Sequence, residues 1–221
     1  MKNILKLVSL LFATCFILTG CATTRGVIDV SRAISNDVVS SENTKSVIID
    51  NYTDNRQFST NSSSPDQPTY DPDKGLDDDT KSRIIARKRN TYGKALGDIV
   101  LKEGLTTEQL IKNTVSQAFY KAGYNVVTED PDNKAVHTNI VVDKMWGWLA
   151  LGWWSVGIRT NADITLEMSY NNKTDSIHSY KEEELRCQLP LTADWEDTII
   201  KNLENIRDDL SEKIKKSSLS N

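Results

Sequence analysis

Residues 136 to 188 hold three long β-forming stretches with short turn signals between them, and such a run leaves a chain few ways to fold. The stretches are Val136 to Trp148, Trp154 to Tyr170 and Ser176 to Gln188. Pro131-Asp132-Asn133 turns the chain into the first, and Asn171-Asn172-Lys173 supplies the hairpin turn between the last two. Consecutive strands joined by tight turns form an antiparallel meander, which must bury one face against another layer. Two helices supply that layer. Thr106 and Gln109 have capping-box spacing, with Leu105 and Leu110 placed as a hydrophobic staple. Ile111, Val115, Ala118, Phe119 and Ala122 then recur at helical intervals until Gly123 ends the run. The second helix starts near Thr192, with Asp194, Glu196 and Asp197 at the end where the helix dipole favours acids. Its stripe is Ile199, Leu203, Ile206, Leu210 and Ile214, and Lys213, Lys215 and Lys216 close it.

Shorter strands are predicted at Ser46 to Asn51, around Val47-Ile48-Ile49, and at Tyr124 to Thr128. Arg83 to Asn90 and Lys94 to Leu101 read as a hairpin across Asn90-Thr91-Tyr92-Gly93. The fold class that follows is α+β, a mainly antiparallel sheet with two helices packed on one face.

The N-terminus addresses the compartment. Lys2 and Lys6 precede Leu7 to Leu18, a stretch without charge, which is the form of a signal peptide over residues 1–20. The apolar run is shorter than the roughly 20 residues a spanning helix needs. Leu18-Thr19-Gly20-Cys21 resembles the lipobox of bacterial lipoproteins. That resemblance implies cleavage before Cys21 and acylation of its thiol and amine, and Ala22 in place of aspartate implies delivery to the outer membrane. Without residues 1–20 the chain loses two of its 27 basic side chains and none of its 31 acids, so its formal charge moves from −4 to −6. Such a surface sets nucleic acid aside as a partner and gains nothing from anionic lipid, leaving the acyl anchor to hold the protein at a membrane. Cys15 leaves with the signal and Cys21 is modified, so Cys187 has no intrachain disulfide partner.

Residues 21–44 read as a lipidated tether that includes a short extended piece at Val27 to Val30. Fully stretched, the 23 residues after Cys21 would reach roughly 75 Å. Residues 45–217 form the periplasmic domain, and 218–221 a disordered tail. Residues 55–80 contain Asn61-Ser62-Ser63-Ser64-Pro65, Pro68, Pro72 and Asp77-Asp78-Asp79 with little apolar content, and read as a mobile loop.

The layout resembles the YajG-type bacterial lipoproteins. The likeness lies in the lipobox, Ile28-Asp29-Val30-Ser31, Thr53-Asp54-Asn55-Arg56, Lys121-Ala122-Gly123-Tyr124 and Arg159-Thr160-Asn161-Ala162-Asp163-Ile164. It implies a small α/β lipoprotein without an assigned reaction. The loop before Arg83 and the tryptophan-rich hairpin depart from the pattern.

Met145 to Trp154 holds four of the five tryptophans, Trp146, Trp148, Trp153 and Trp154, and no charge. One reading buries these rings as sheet core. The other presents them to a partner protein, a second copy of the chain, or the membrane interface. Trp146 and Trp148 share a strand face, whereas Trp153 and Trp154 face opposite ways, so one sheet face does not bury all four. A second candidate is the basic hairpin, with Arg83, Arg87, Arg89 and Lys94 beside Lys88, as a phosphate site of lipid or lipopolysaccharide. Its plain alternative is a solvated face paired with acids such as Asp77 to Asp79. Asp71 to Asp79 resembles a calcium loop in its acid spacing, but Ser82 occupies the position of the bidentate glutamate. No metal is expected.

No catalytic residue is assigned. His137 and His178 are the only histidines, and no nucleophile-elbow, zinc or phosphate-loop pattern occurs. His178 and Cys187 are nine residues apart in one strand, hence on opposite faces and about 30 Å apart. The expectation is an outer-membrane lipoprotein with no cofactor beyond the lipid on Cys21. Its non-catalytic domain would serve as accessory or scaffold in envelope assembly or transport, with an envelope protein or a second copy as partner. The rival is a lipid or lipopolysaccharide carrier using both hairpins.

Overall fold

In the computed structural model, which describes residues 25–34, 40, 42–90, 92, 94–152 and 154–219, the predicted meander is the spine of an eight-stranded sheet. Its strands are β6 (Val136–Leu151), β7 (Val156–Tyr170) and β8 (Lys173–Cys187), paired antiparallel along almost their whole lengths. Asn171 and Asn172 adopt φ of 48° and 62°, as a two-residue turn between right-twisted strands requires.

The other edge of β6 is shared. Its first half pairs in parallel with β2 (Lys45–Asp54), which carries β5 (Tyr124–Val126) beyond it. Its second half pairs in parallel with β3 (Ile84–Arg89). Beyond β3 lie β4 (Ala95–Leu101), antiparallel, and β1 (Gly26–Ile28), parallel to β4. The antiparallel ladders carry most of the pairing, and the fold is α+β as expected; the parallel pairings are the part the sequence reading lacked.

Both long helices lie on one face. In α2 (Thr107–Lys121) the Thr106 and Gln109 side chains each accept the other residue's backbone N–H, at 3.2 and 2.9 Å. Gly123, at φ 94°, takes the left-handed turn that ends the helix. The longer helix, α3 (Thr192–Lys216), runs antiparallel to β8, and its stripe Ile199, Leu203, Ile206, Leu210 and Ile214 is buried in the same core as Leu110, Ile111, Val115 and Phe119. Asn202, buried within that stripe, donates to the carbonyls of Thr160 and Lys181, so its amide does not go unpaired.

Three segments differ from the sequence reading. Residues 26–34 are not tether: β1 is paired, Ile28 and Val30 are buried, and Asp29 is bonded to Lys102 and through its backbone N–H to Glu196. Three strand residues are too few to show period-two patterning, which is why only a short extended piece of tether at Val27 to Val30, and no paired strand, is expected there. Residues 35–39 and 41 lie outside the described set. Leu219 is buried against the core, so the predicted tail begins no earlier than residue 220. Lastly, residues 55–80 are packed rather than free, and their last residues open a short helix, α1 (Asp78–Arg83), capped by the Asp77 carboxylate on Thr80 N.

A register shift between Val142 and Lys144 explains where that loop goes. Before it, Val136, Ile140 and Val142 face the helices; after it, Met145 and Leu149 do. One extra residue in a strand swaps its faces, so Trp146 and Trp148 point to the side away from the helices. There they form a second cluster with Ile84 and Val100, closed by Phe58, Tyr70 and Leu76 of the loop. Phe58 meets Trp146 edge-on at 6.0 Å between ring centroids, and Trp146 Nε1 donates to the Pro65 carbonyl at 3.3 Å. Removing the Phe58 ring should uncover Trp146. We expect Phe58→Ala to lower stability by about 2 kcal/mol and to raise acrylamide quenching of tryptophan fluorescence; unchanged quenching would mean the loop does not cover the ring.

Asp209 ties α3 to β8. Its carboxylate accepts from Lys213 Nζ at 2.6 Å, Ser179 Oγ at 2.7 Å and Lys181 Nζ at 2.9 Å. Burial by itself would raise its pKa, but these three donors outweigh burial and bring it down to about 2 from an ordinary 3.8. A depressed folded-state pKa stabilises fully above the unfolded value and is lost as pH falls through the folded one. Asp209→Asn should therefore cost about 1–2 kcal/mol at neutral pH, after allowing for solvent screening of a partly exposed group. The gap from wild type should close between about pH 4 and pH 2 in urea titrations.

Candidate functional site

The strand directions gather one set of loops at one end of the sheet. β6 and β3 run towards it, β7 and β4 run away from it, and β8 ends there just before α3 begins. The β6–β7 tip, the β3–β4 turn and the 188–191 connection are therefore neighbours in height along the strands. Each has a polar frame with an apolar side chain on it. In the β3–β4 turn, the Asn90 carboxamide oxygen accepts from Tyr92 N at 3.0 Å and Lys94 N at 2.9 Å, and the Tyr92 ring is 93% exposed. At the β6–β7 tip, Gly152 N donates to Ser155 O at 3.0 Å, closing a turn on which Trp154 is 89% exposed, next to the exposed Leu151. Leu191 N donates to the Asp194 carboxylate at 2.8 Å, and both Leu189 and Leu191 are exposed.

The tryptophans thus divide. Trp146 and Trp148 are buried and form core, which removes them as interface residues. Their faces were read correctly as shared; what escaped the sequence was that a loop covers that face. Trp154 is the exposed one, and Trp153 lies outside the described residues, as does Cys21.

The basic hairpin also departs from expectation. Arg83 spends its guanidinium on the Leu101 carbonyl, from Nε at 3.2 Å and Nη2 at 2.9 Å, and on Asp79 at 3.2 Å. Arg87 is buried against Asp98 at 3.4 Å, and Asp98 also faces Arg25 at 3.7 Å. Arg89 donates to Ser62 O at 2.5 Å and Thr69 Oγ1 at 2.9 Å, and burial pulls its pKa below the ordinary arginine value. The three arginines fasten β3 to α1, β4 and the loop, and do not make an open phosphate fork. Lys94 alone of the four is exposed. A shallow depression of about 580 Å³ lies between the two hairpins, walled by Leu149, Leu151, Tyr92, Pro65 and the Arg89 side chain.

The remaining candidates have structural partners. His137 faces Asp50 at 3.0 Å and His178 faces Asp163 at 2.6 Å, both on the sheet side away from the helices. The Cys187 thiol donates to Val156 O at 3.5 Å, and burial, with a smaller push from Asp194, raises its pKa. Less thiolate means a weaker nucleophile. In the acidic loop, Asp71 accepts from Asp73 N at 3.2 Å and pairs with Lys74 at 3.5 Å. With Asp77 capping α1, those carboxylates make turns.

One pair quoted in the sequence only as part of a family likeness, Asp54 and Arg56, turns out to be a buried junction. Arg56, fully buried, grips Asp54 with Nε at 2.9 Å and Nη2 at 2.8 Å, and donates to Ile84 O at 2.9 Å and Lys81 O at 2.7 Å. It also reaches Thr107 Oγ1 at 3.3 Å and stacks 5.1 Å from the Phe58 ring. The only available signal was the acid–x–base spacing of Asp54 and Arg56.

No family model and no curated protein matches the chain. Among solved structures, it is similar to an uncharacterised protein with TM-score 0.46 and 7% identity, over 86% of this chain and 99% of the other. It is also similar to a protein of Xanthomonas campestris described under the family model DUF330, with TM-score 0.40 and 11% identity, over 84% of this chain and 91% of the other. At these scores neither likeness carries an argument about function.

Proposed function

We propose that the protein is an outer-membrane lipoprotein of the YajG type, held through Cys21, whose periplasmic α+β domain acts without catalysis as an accessory or scaffold in envelope assembly or transport. The observation that carries the reading is the lipobox together with the short distance between it and folded structure. Leu18-Thr19-Gly20-Cys21 is followed after four residues by Gly26, the first strand-paired residue among those described. An anchor that short keeps the domain beside the bilayer, where its effective concentration for an envelope partner is raised. The non-catalytic part is supported by the Cys187 thiol, the one described among the cysteines, which burial makes less nucleophilic.

A second reading, a lipid or lipopolysaccharide carrier, is favoured by the depression of about 580 Å³ between the hairpins. It is weakened by the burial of Trp146 and Trp148 and by the internal bonds of Arg83, Arg87 and Arg89.

Cys21→Ser decides the anchor. The wild-type chain should sediment with envelopes and resist alkaline extraction, whereas the serine variant should move to the soluble fraction; a variant that stays with envelopes overturns the reading. Purification without detergent, followed by mass spectrometry of extracted lipid, separates the two functions. Lipid in about equimolar amount beyond the covalent acyl chains would favour the carrier, since a pocket of this size buries one ligand.

A further inference from the structure

We infer that the end of the domain bearing Tyr92, Leu151, Trp154, Leu189 and Leu191 rests on the bilayer surface that holds the acyl chains of Cys21. The inference rests on the anchored-lipoprotein reading, and what it adds is an orientation and a contact surface.

The pairing registers fix the geometry. Gly26 lies level with Ile99, Ile99 with Ala86, and Ala86 with Gly147. From Gly147 the β6 strand continues four residues to Leu151, which at about 3.3 Å per residue is about 13 Å. β1 runs parallel to β4, away from this end, so the chain preceding Gly26 enters from the side of the tip. Arg25, close to Asp98, holds that entry against the sheet. Between Cys21 and Gly26 there are five Cα steps, and no conformation takes these beyond about 18 Å. The tether is therefore long enough for the sulfur to reach the level of the tip, and too short to take it more than a few ångströms past. Acyl chains in the bilayer draw their sulfur to the headgroup region, and the tip of the domain comes with it.

The chemistry of the two ends agrees with this. At the near end, three separate connections each expose one or two large apolar side chains, and tryptophan and tyrosine are the residues that favour the membrane–water interface. Each of these connections has a backbone N–H held by a side-chain or carbonyl oxygen next to the apolar residue, so the residue is presented outward by a built turn. At the far end the same strands turn through Asn171, Asn172 and Lys173, beside Asp130 and Asn133. None of the large apolar side chains exposed among the described residues lies there, and its exposed Lys134, Lys173, Lys215 and Lys216 offer charge rather than apolar surface. Partial burial of apolar side chains in the interface is favourable, so these five residues orient the domain without replacing the anchor.

The test uses the full acylated chain in phosphatidylethanolamine–phosphatidylglycerol vesicles that contain a headgroup-proximal doxyl lipid. An environment-sensitive dye is placed on Trp154→Cys or, as the far-end control, on Asn172→Cys, each in a Cys187→Ser background. Tyr92→Cys is a second near-end probe in case the Trp154 variant folds poorly. Dye at 154 and at 92 should be quenched about threefold or more over dye at 172, and should emit at shorter wavelength, as expected for the interface. Equal quenching at near and far positions in a chain whose mass includes the acyl groups overturns the orientation and leaves the anchor standing. A mature chain whose mass lacks acyl groups overturns the anchor, and the orientation falls with it.

Discussion

The register shift at Asp143 in β6 is the constraint on which the rest of the molecule depends. A strand of 16 residues with strict alternation would present one apolar face to one layer. With the shift, its first half faces the helices through even-numbered residues and its second half through odd-numbered ones, and the two tryptophans of the second half are turned to the opposite side. The shift also marks the point where β2 stops accompanying β6. Asp54 is the last β2 residue in register, opposite Val142, and Asn55 N donates to the Val142 carbonyl at 2.9 Å as the chain leaves. Beyond it, β6 needs a new neighbour on that edge, which is β3. One extra residue therefore creates both a second apolar face and a gap between strands.

Arg56 fills the gap and starts the cover of that face. It follows directly on the end of β2, and its guanidinium ties Asp54 to the carbonyls of Lys81 and Ile84, where α1 passes into β3. A buried cation is costly to desolvate unless it is paired and hydrogen-bonded. Here a bidentate carboxylate, two carbonyls and the Thr107 hydroxyl supply the partners, and the Phe58 ring lies against the cation's flat side. The loop beyond Phe58 is then led over Trp146 and Trp148, and Arg89 holds it from the far side through Ser62 and Thr69. Two arginines thus do for this polar loop what a hydrophobic stripe does for a helix.

What was legible in the sequence follows from this. Elements whose signals are local came through: the Thr106–Gln109 capping box, the αL glycine at 123, the Asn171-Asn172 turn and the stripe of α3 all depend on neighbours within a turn or two. The elements that were missed, or read as extended without a partner, depend on distant residues. β1 has three residues, and only β4 makes it a strand. The loop at 55–80 has three large apolar residues, Phe58, Tyr70 and Leu76, at spacings with no period, so it read as mobile. Asp143 gives no glycine to betray a bulge. For the candidate site, Trp146 and Trp148 share one face as read, and among the described tryptophans of the hairpin Trp154 is left outside. The same reading treated Arg83, Arg87 and Arg89 as a surface cluster because an arginine bound to a carbonyl far along the chain looks, in sequence, like one facing solvent.

Moving residues 26–34 from tether to sheet changes what an anchor can do. A 75 Å leash would let the domain sample every orientation above a membrane, and none of its surfaces would be privileged. With the proposed anchor at Cys21, a leash of five Cα steps that begins on β1 would fix which end is near and leave the rest facing away. One broad side is closed by α2 and α3, and the second half of the other by the Phe58 loop. The outer edge of β8 carries no strand among the described residues, and the charges of Glu182, Glu183, Glu184 and Arg186 near its upper end discourage pairing with a stray strand. In the inferred orientation this edge would stand upright beside the membrane, and a partner would meet a polar, charged sheet edge while the exposed apolar tip faced the lipid.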